Sequence, residues 1–207
     1  MRWRVKADWV ALLALALAGC AEVETAGLAR PNLIIVREFA ASEGVVTLDP
    51  SFGFSLYRGA AGVPPRQRAA SVGRAATFNL ADTVVEQLRR LGYNAVRADA
   101  ASPQPGGRAL VVTGAFRQIN EGHRRHVGAE DASVAVAGEI DYQSAGAAPR
   151  RLTTFSLDSR QVPREPIVSA SAGRGSDVNS AAVRVGHAVA RAVVELARRN
   201  NWPGASR

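Results

Sequence analysis

The chain of 207 residues contains one cysteine, Cys20. No intramolecular disulfide can form, so the fold must be held by its apolar core and its hydrogen bonds alone. At 47% hydrophobic residues, the chain is long enough for one domain with a sizeable core.

The position of that cysteine is as informative as its being single. Arg2, Arg4 and Lys6 form a positive start, and Trp9 to Ala18 is an unbroken apolar run. Such a run has the length of a signal-peptide core and is too short to span a bilayer. It ends in Leu17-Ala18-Gly19-Cys20, which reads as a lipobox: small residues before a cut, then a thiol that can carry diacylglycerol. The expectation is therefore a signal peptide at 1–19 and a lipidated tether at 20–31, ending at Pro31. A single α+β domain follows at 32–202, with a tail at 203–207. Each buried methylene contributes about 0.8 kcal/mol, so two or three acyl chains on Cys20 would hold the protein firmly on a membrane. Ala21 follows the cysteine where an inner-membrane sorting signal would place Asp, which favours the outer membrane and its periplasmic face.

The formal charge is +8. Removing residues 1–19 takes away Arg2, Arg4, Lys6 and Asp8 and leaves +6. Lys6 is the sole lysine, so the remaining positive charge is arginine. A genome rich in G and C explains an excess of Arg, Ala and Gly. The functional alternative is an arginine surface that meets anions. Nucleic acid is a poor candidate partner, because the export signal leads away from it and no nucleic-acid motif is present.

Along the chain, Leu33-Ile34-Ile35-Val36 predicts a buried first strand reaching Phe39. Residues 40–70, broken by Gly44, Pro50, Gly59, Gly62 and Pro64-Pro65, predict a long excursion with at most a short strand or helical turn. A helix is predicted over 71–91, capped by Ser71, with Phe78, Ala81, Val84, Val85, Leu88 and Leu91 on its apolar face and Gly92 at its end. Asn94 to Ala98 follows as a strand, giving a βαβ unit with parallel strands. Leu110–Ile119, Ser133–Tyr142 and Arg151–Leu157 predict an antiparallel meander. The second of these alternates Val134, Val136, Ile140 and Tyr142 against Ala135, Ala137, Glu139 and Asp141. A final helix is predicted from Asp177 to Arg199, with Val178, Ala182, Val185, Val189, Val193 and Leu196 as its stripe. The predicted architecture is one mixed sheet packed with two helices in two layers.

The stretch Leu110-Val111-Val112-Thr113-Gly114-Ala115-Phe116-Arg117-Gln118-Ile119-Asn120-Glu121-Gly122-His123-Arg124-Arg125 combines a Gly- and Phe-bearing strand with an acidic-Gly turn and arginines. With Val36-Arg37-Glu38-Phe39, Leu88-Arg89-Arg90-Leu91-Gly92-Tyr93 and the lipobox, it resembles the proteobacterial lipoprotein family catalogued as domain of unknown function 4410. The resemblance covers roughly residues 30–200. The segment His126-Val127-Gly128-Ala129-Glu130-Asp131 has less glycine than that family shows there. The resemblance implies an exported lipoprotein without an assigned activity.

Catalytic patterns are absent from the sequence. There is no G-x-S-x-G elbow, and Cys20 is consumed by lipid. His123 and His126 lie near Glu121, Glu130 and Asp131, but spacing on a loop does not converge ligands, and Arg124 and Arg125 between them oppose a cation. Gly173-Arg174-Gly175-Ser176 before the last helix lacks the P-loop lysine. No metal, no cofactor and no enzymatic activity are expected. The turn Glu121-Gly122-His123-Arg124-Arg125 is the best candidate for recognition, an exposed guanidinium pair able to grip a carboxylate or phosphate. The alternative is a solvated hairpin tip. Two functional readings follow. One is a structural or assembly partner of an envelope protein complex. The other is a binding module for an anionic envelope polymer such as peptidoglycan, or a glycolipid, held by arginine-rich loops.

Overall fold

A computed structural model describes residues 27–42, 44–49, 63–99, 102, 106–123, 131–163, 177–202 and 204. The predicted signal peptide and lipobox with Cys20, and residues 164–176 before the last helix, lie outside these residues. Eight elements follow in order. They are β1 (Leu33–Arg37), β2 (Val46–Thr47), α1 (Pro65–Arg90), β3 (Ala95–Ala98), β4 (Ala109–Asn120), β5 (Ser133–Gln143), β6 (Arg150–Asp158) and α2 (Val178–Arg199).

The six strands form one mixed sheet in the order β3-β1-β4-β5-β6, with β2 also paired to β4. β1 is parallel to β3 and to β4, while β5 and β6 complete an antiparallel meander. The βαβ unit and the meander are thus as the sequence predicts, and the fold is α+β. β4 organises the sheet because it is long. Its first residues pair with β1, Ala115 bridges to Ala40, and Ile119 and Asn120 pair with Val46 and Thr47. The segment from Leu33 to Thr47 therefore runs beside β4 as one interrupted parallel line.

Both helices pack on one face of the sheet and on each other. Leu80, Val84, Leu88, Val185, Val189 and Val193 bury against Val36, Leu110, Val112, Val136 and Ile140 in one core. Fully burying such a side chain contributes roughly 1.5–3 kcal/mol, which makes this layer the main source of stability. The period-2 alternation of β5 is obeyed: Val134, Val136 and Ile140 are fully buried, whereas Ala135, Ala137, Glu139 and Asp141 on the opposite face are partly exposed.

α1 differs from its prediction at the start and in its face. It begins at Pro65, with Pro64 as the residue before the helix, so Ser71 lies within it and caps nothing. Proline suits this position because its missing N–H would have had no helical partner. The buried face is centred on Leu80, whereas Phe78 and Leu91 are exposed. Phe78 instead lies under the Arg97 guanidinium, 4.3 Å from the ring centre. The helix ends as expected at Gly92, whose φ of 81° is easy only for glycine. Gly92 N–H donates to the Arg89 carbonyl at 2.9 Å, and Tyr93 N–H to the Leu88 carbonyl at 3.0 Å, closing a Schellman motif. α2 is capped by Asp177, whose carboxylate accepts from Ser180 N–H at 2.7 Å.

Candidate functional site

The end of β4 carries the predicted turn, and its geometry departs from the expected solvated hairpin tip. Glu121 N–H donates to the Thr47 carbonyl at 3.0 Å, extending the β2–β4 pairing beyond Asn120. The Glu121 side chain is thereby drawn inward and is only 3% exposed. Its Oε2 accepts from Asp49 N–H at 3.0 Å and from the Arg68 guanidinium at 2.5 Å. Arg68 also donates to the Asp49 carbonyl at 3.3 Å. A single arginine from the first turn of α1 thus ties the carboxylate at the end of β4 to the backbone beyond β2. Charge-assisted bonds of this kind are about twice as strong as neutral ones.

Gly122 is buried, with a φ of 74° that re-aims the chain, and its N–H donates to the Asn120 side-chain carbonyl at 2.8 Å. His123 follows, with Nδ1 at 3.6 Å from Oδ1 of Asp49, whose side chain is wholly buried. The imidazole itself is 43% exposed. The turn therefore joins two carboxylates, one guanidinium and one imidazole. Arg124 and Arg125 lie outside the described residues. Of the predicted recognition turn, Glu121 is a buried structural tie and is not available as a ligand contact.

Asp49 and Arg68 are the members that sequence reading missed. Asp49 sits in the irregular excursion, and Arg68 precedes the expected helix start. No periodicity or motif marks either.

Two carboxylates of β5 behave differently. Glu139 and Asp141 share the helix-free face of the sheet, where Arg151 of β6 pairs with Glu139 and stands 3.7 Å from Asp141. Burial pushes the Asp141 carboxyl up, Glu139 adds to this, and Arg151 opposes it. His187 is half-buried on α2. Among the described residues no group of three or more His, Cys, Asp or Glu is placed to hold a metal ion. No described helix is long and apolar enough to cross a membrane.

No family model and no curated protein matches the chain. Solved structures that match it include two from bacteria. One is a point variant of PelC, a dodecamer, from Paraburkholderia phytofirmans: 15% identity, TM-score 0.36, covering 82% of this chain and 90% of that one. The other is a neuraminyllactose-binding hemagglutinin homolog from Helicobacter pylori: 15% identity, TM-score 0.28, covering 63% of this chain and 65% of that one. Likeness of this degree says nothing of what this chain binds.

Proposed function

We propose that the chain is an exported bacterial lipoprotein, acylated at Cys20. It acts as a non-catalytic structural or assembly partner in a complex at the periplasmic face of the outer membrane. The observation that carries this reading is the lipobox Leu17-Ala18-Gly19-Cys20 behind a positive start and an apolar run, with Cys20 the sole cysteine. The resemblance to the lipoprotein family catalogued as domain of unknown function 4410 agrees with it. The buried charges at the end of β4 are spent on holding the turn, which suits a scaffold better than a catalyst.

Labelling with a palmitate analogue in a bacterial host, followed by membrane fractionation, tests the anchor. The wild-type chain takes up label and sediments with outer membrane, and Cys20→Ala does neither. Equal labelling of both chains rejects the assignment. A crosslinked pull-down of the acylated chain from native membranes tests the partner role. One near-stoichiometric protein, lost with Cys20→Ala, is expected. Recovery of glycan or glycolipid without such a protein would instead favour a polymer-binding module.

A further inference from the structure

The geometry points to a docking face for an anionic phospholipid bilayer at the end of the domain where the polypeptide enters it. This rests on the reading of Cys20 as the lipid-anchored residue. Seven elements begin or end at this face: β5 ends at Gln143 opposite Ala109, the first residue of β4, and β6 starts at Arg150 opposite Tyr142. β1, β3 and β4 start here: Asn32 N–H donates to the Arg108 carbonyl at 2.9 Å, and Ile34 N–H to the Asn94 carbonyl at 2.8 Å. Both helices finish here, so that Arg30, Gly92, Ala197 and Trp202 line one depression, and Leu91 and Arg198 line another.

Three exposed arginines reach this face from different parts of the chain. Arg30 precedes β1, Arg108 precedes β4, and Arg198 lies in the last turn of α2. None of the three makes a side-chain hydrogen bond or ion pair among the described residues. The neighbouring acids are already matched, since Glu86 pairs with Arg90 and Glu195 with Arg199. Arg89 is occupied too, donating to the Ala95 carbonyl at 2.7 Å. Arg198 offsets the partial negative charge at the end of α2, but that explanation does not reach Arg30 or Arg108, which lie on no helix. Leu91, 45% exposed, stands beside Arg198 as an apolar contact.

Chain length selects the occupant. The folded contacts already begin at Leu28 and Ala29, whose carbonyls accept from the Trp202 indole and the Tyr142 hydroxyl. From Cys20 to this point the chain can span at most about 30 Å even if fully extended. The end bearing Glu121 lies a further strand away, about 40 Å for the twelve residues of β4. An acyl anchor on Cys20 therefore keeps the arginine face within about 30 Å of the bilayer, with the Glu121 turn at the far end of the domain. Guanidinium groups match phosphate in charge and geometry. Each one near an anionic surface raises the docked-to-undocked ratio by roughly fivefold.

The test uses the acylated full-length product in vesicles of phosphatidylglycerol and phosphatidylethanolamine, compared with phosphatidylcholine vesicles, read by amide hydrogen exchange. Amides at 30–32, 91–94, 106–108 and 198–202 gain protection in the anionic vesicles only, and high salt removes the gain. A variant with Arg30→Glu, Arg108→Glu and Arg198→Glu, melting at the wild-type temperature, loses it by at least about fivefold per arginine. Equal exchange in both vesicle types, or protection centred on Glu121, overturns the proposal. Intact mass reports separately on acylation. If no acyl chain is found, the anchor reading fails, and low-salt flotation of that unacylated chain still decides docking. Flotation with anionic vesicles that the Arg30→Glu, Arg108→Glu, Arg198→Glu variant loses supports it, and no flotation, or equal flotation of both chains, overturns it.

Discussion

Trp202, just beyond the end of α2, donates its indole N–H to the carbonyl oxygen of Leu28 across 3.1 Å. Its ring stacks on Tyr142 at a centroid distance of 6.0 Å, and Tyr142 in turn donates its hydroxyl to the Ala29 carbonyl at 2.9 Å. Two aromatics from the second half of the chain thus fasten the segment expected to be free tether up to Pro31. Trp202→Ala should cost about 3–5 kcal/mol, since the ring is 3% exposed and leaves a cavity. Trp202→Phe keeps most of the packing and should cost roughly 1 kcal/mol more than packing alone predicts, for the lost hydrogen bond. Denaturant melts measure both, and hydrogen exchange at 30–32 should rise selectively in each variant.

Gly138 of β5 sits opposite Gly114 of β4. A Cβ on Gly138 would stand 2.5 Å from Cζ of Phe155 and collide with the Thr113 carbonyl, and one on Gly114 would stand 2.8 Å from the Ala137 carbonyl. Because a strand backbone cannot yield as a flexible side chain does, Gly138→Ala should destabilise by about 1–3 kcal/mol. Gly107→Ala is the control. Nothing lies within 4 Å of a Cβ there and its φ is unstrained, so thermal melting should be unchanged or slightly raised.

Arg68→Ala should strip the buried Glu121 carboxylate of its guanidinium and cost about 3 kcal/mol or more, well above a surface ion pair. Glu121→Gln in the same background should recover part of the loss, because the carboxylate that needed neutralising is gone. A double-mutant cycle by urea unfolding measures the coupling, and additive losses would refute the tie.

Asp141 predicts a pH effect of definite sign. Its folded carboxyl binds protons more tightly than in the unfolded chain, because of burial first and of Glu139 second. It therefore contributes a penalty that is absent at low pH and appears as pH rises from the ordinary carboxylate range through the raised folded value. Asp141→Asn should melt at or above the wild-type temperature at pH 7, with the gap narrowing below about pH 4. Asp158 has the opposite sense. The Arg160 side chain holds its carboxyl below the usual range, so its contribution is present at neutral pH and lost as pH falls through that lowered value. Arg160→Ala should narrow the stability difference between pH 7 and acid.

Patterns carried within one element were legible in the sequence. The alternation in β5 and the stripe on α2 depend on periodicities of two and 3.6, which every few residues restate. Phe78 shows where this stops. Phe78 and Leu80 are two residues apart and so point to opposite sides of α1. The predicted face took Phe78 and left out Leu80, whereas packing against the sheet and α2 buries Leu80 and leaves Phe78 beneath Arg97. The strand β2 has two residues, too short for any period to show.

The sequence by itself determined the two parallel strands around a helix, the meander and the α+β class, because each rests on local residue order. Tertiary structure alone decided that Glu121 is buried. That burial needs β2 paired to the end of β4 and Arg68 brought across from α1, partners 74 and 53 positions away in register and contact respectively. It also decided that Arg30, Arg108 and Arg198 share one face. Their convergence depends on strand order and on where both helices stop, and neither is written in any short stretch of chain.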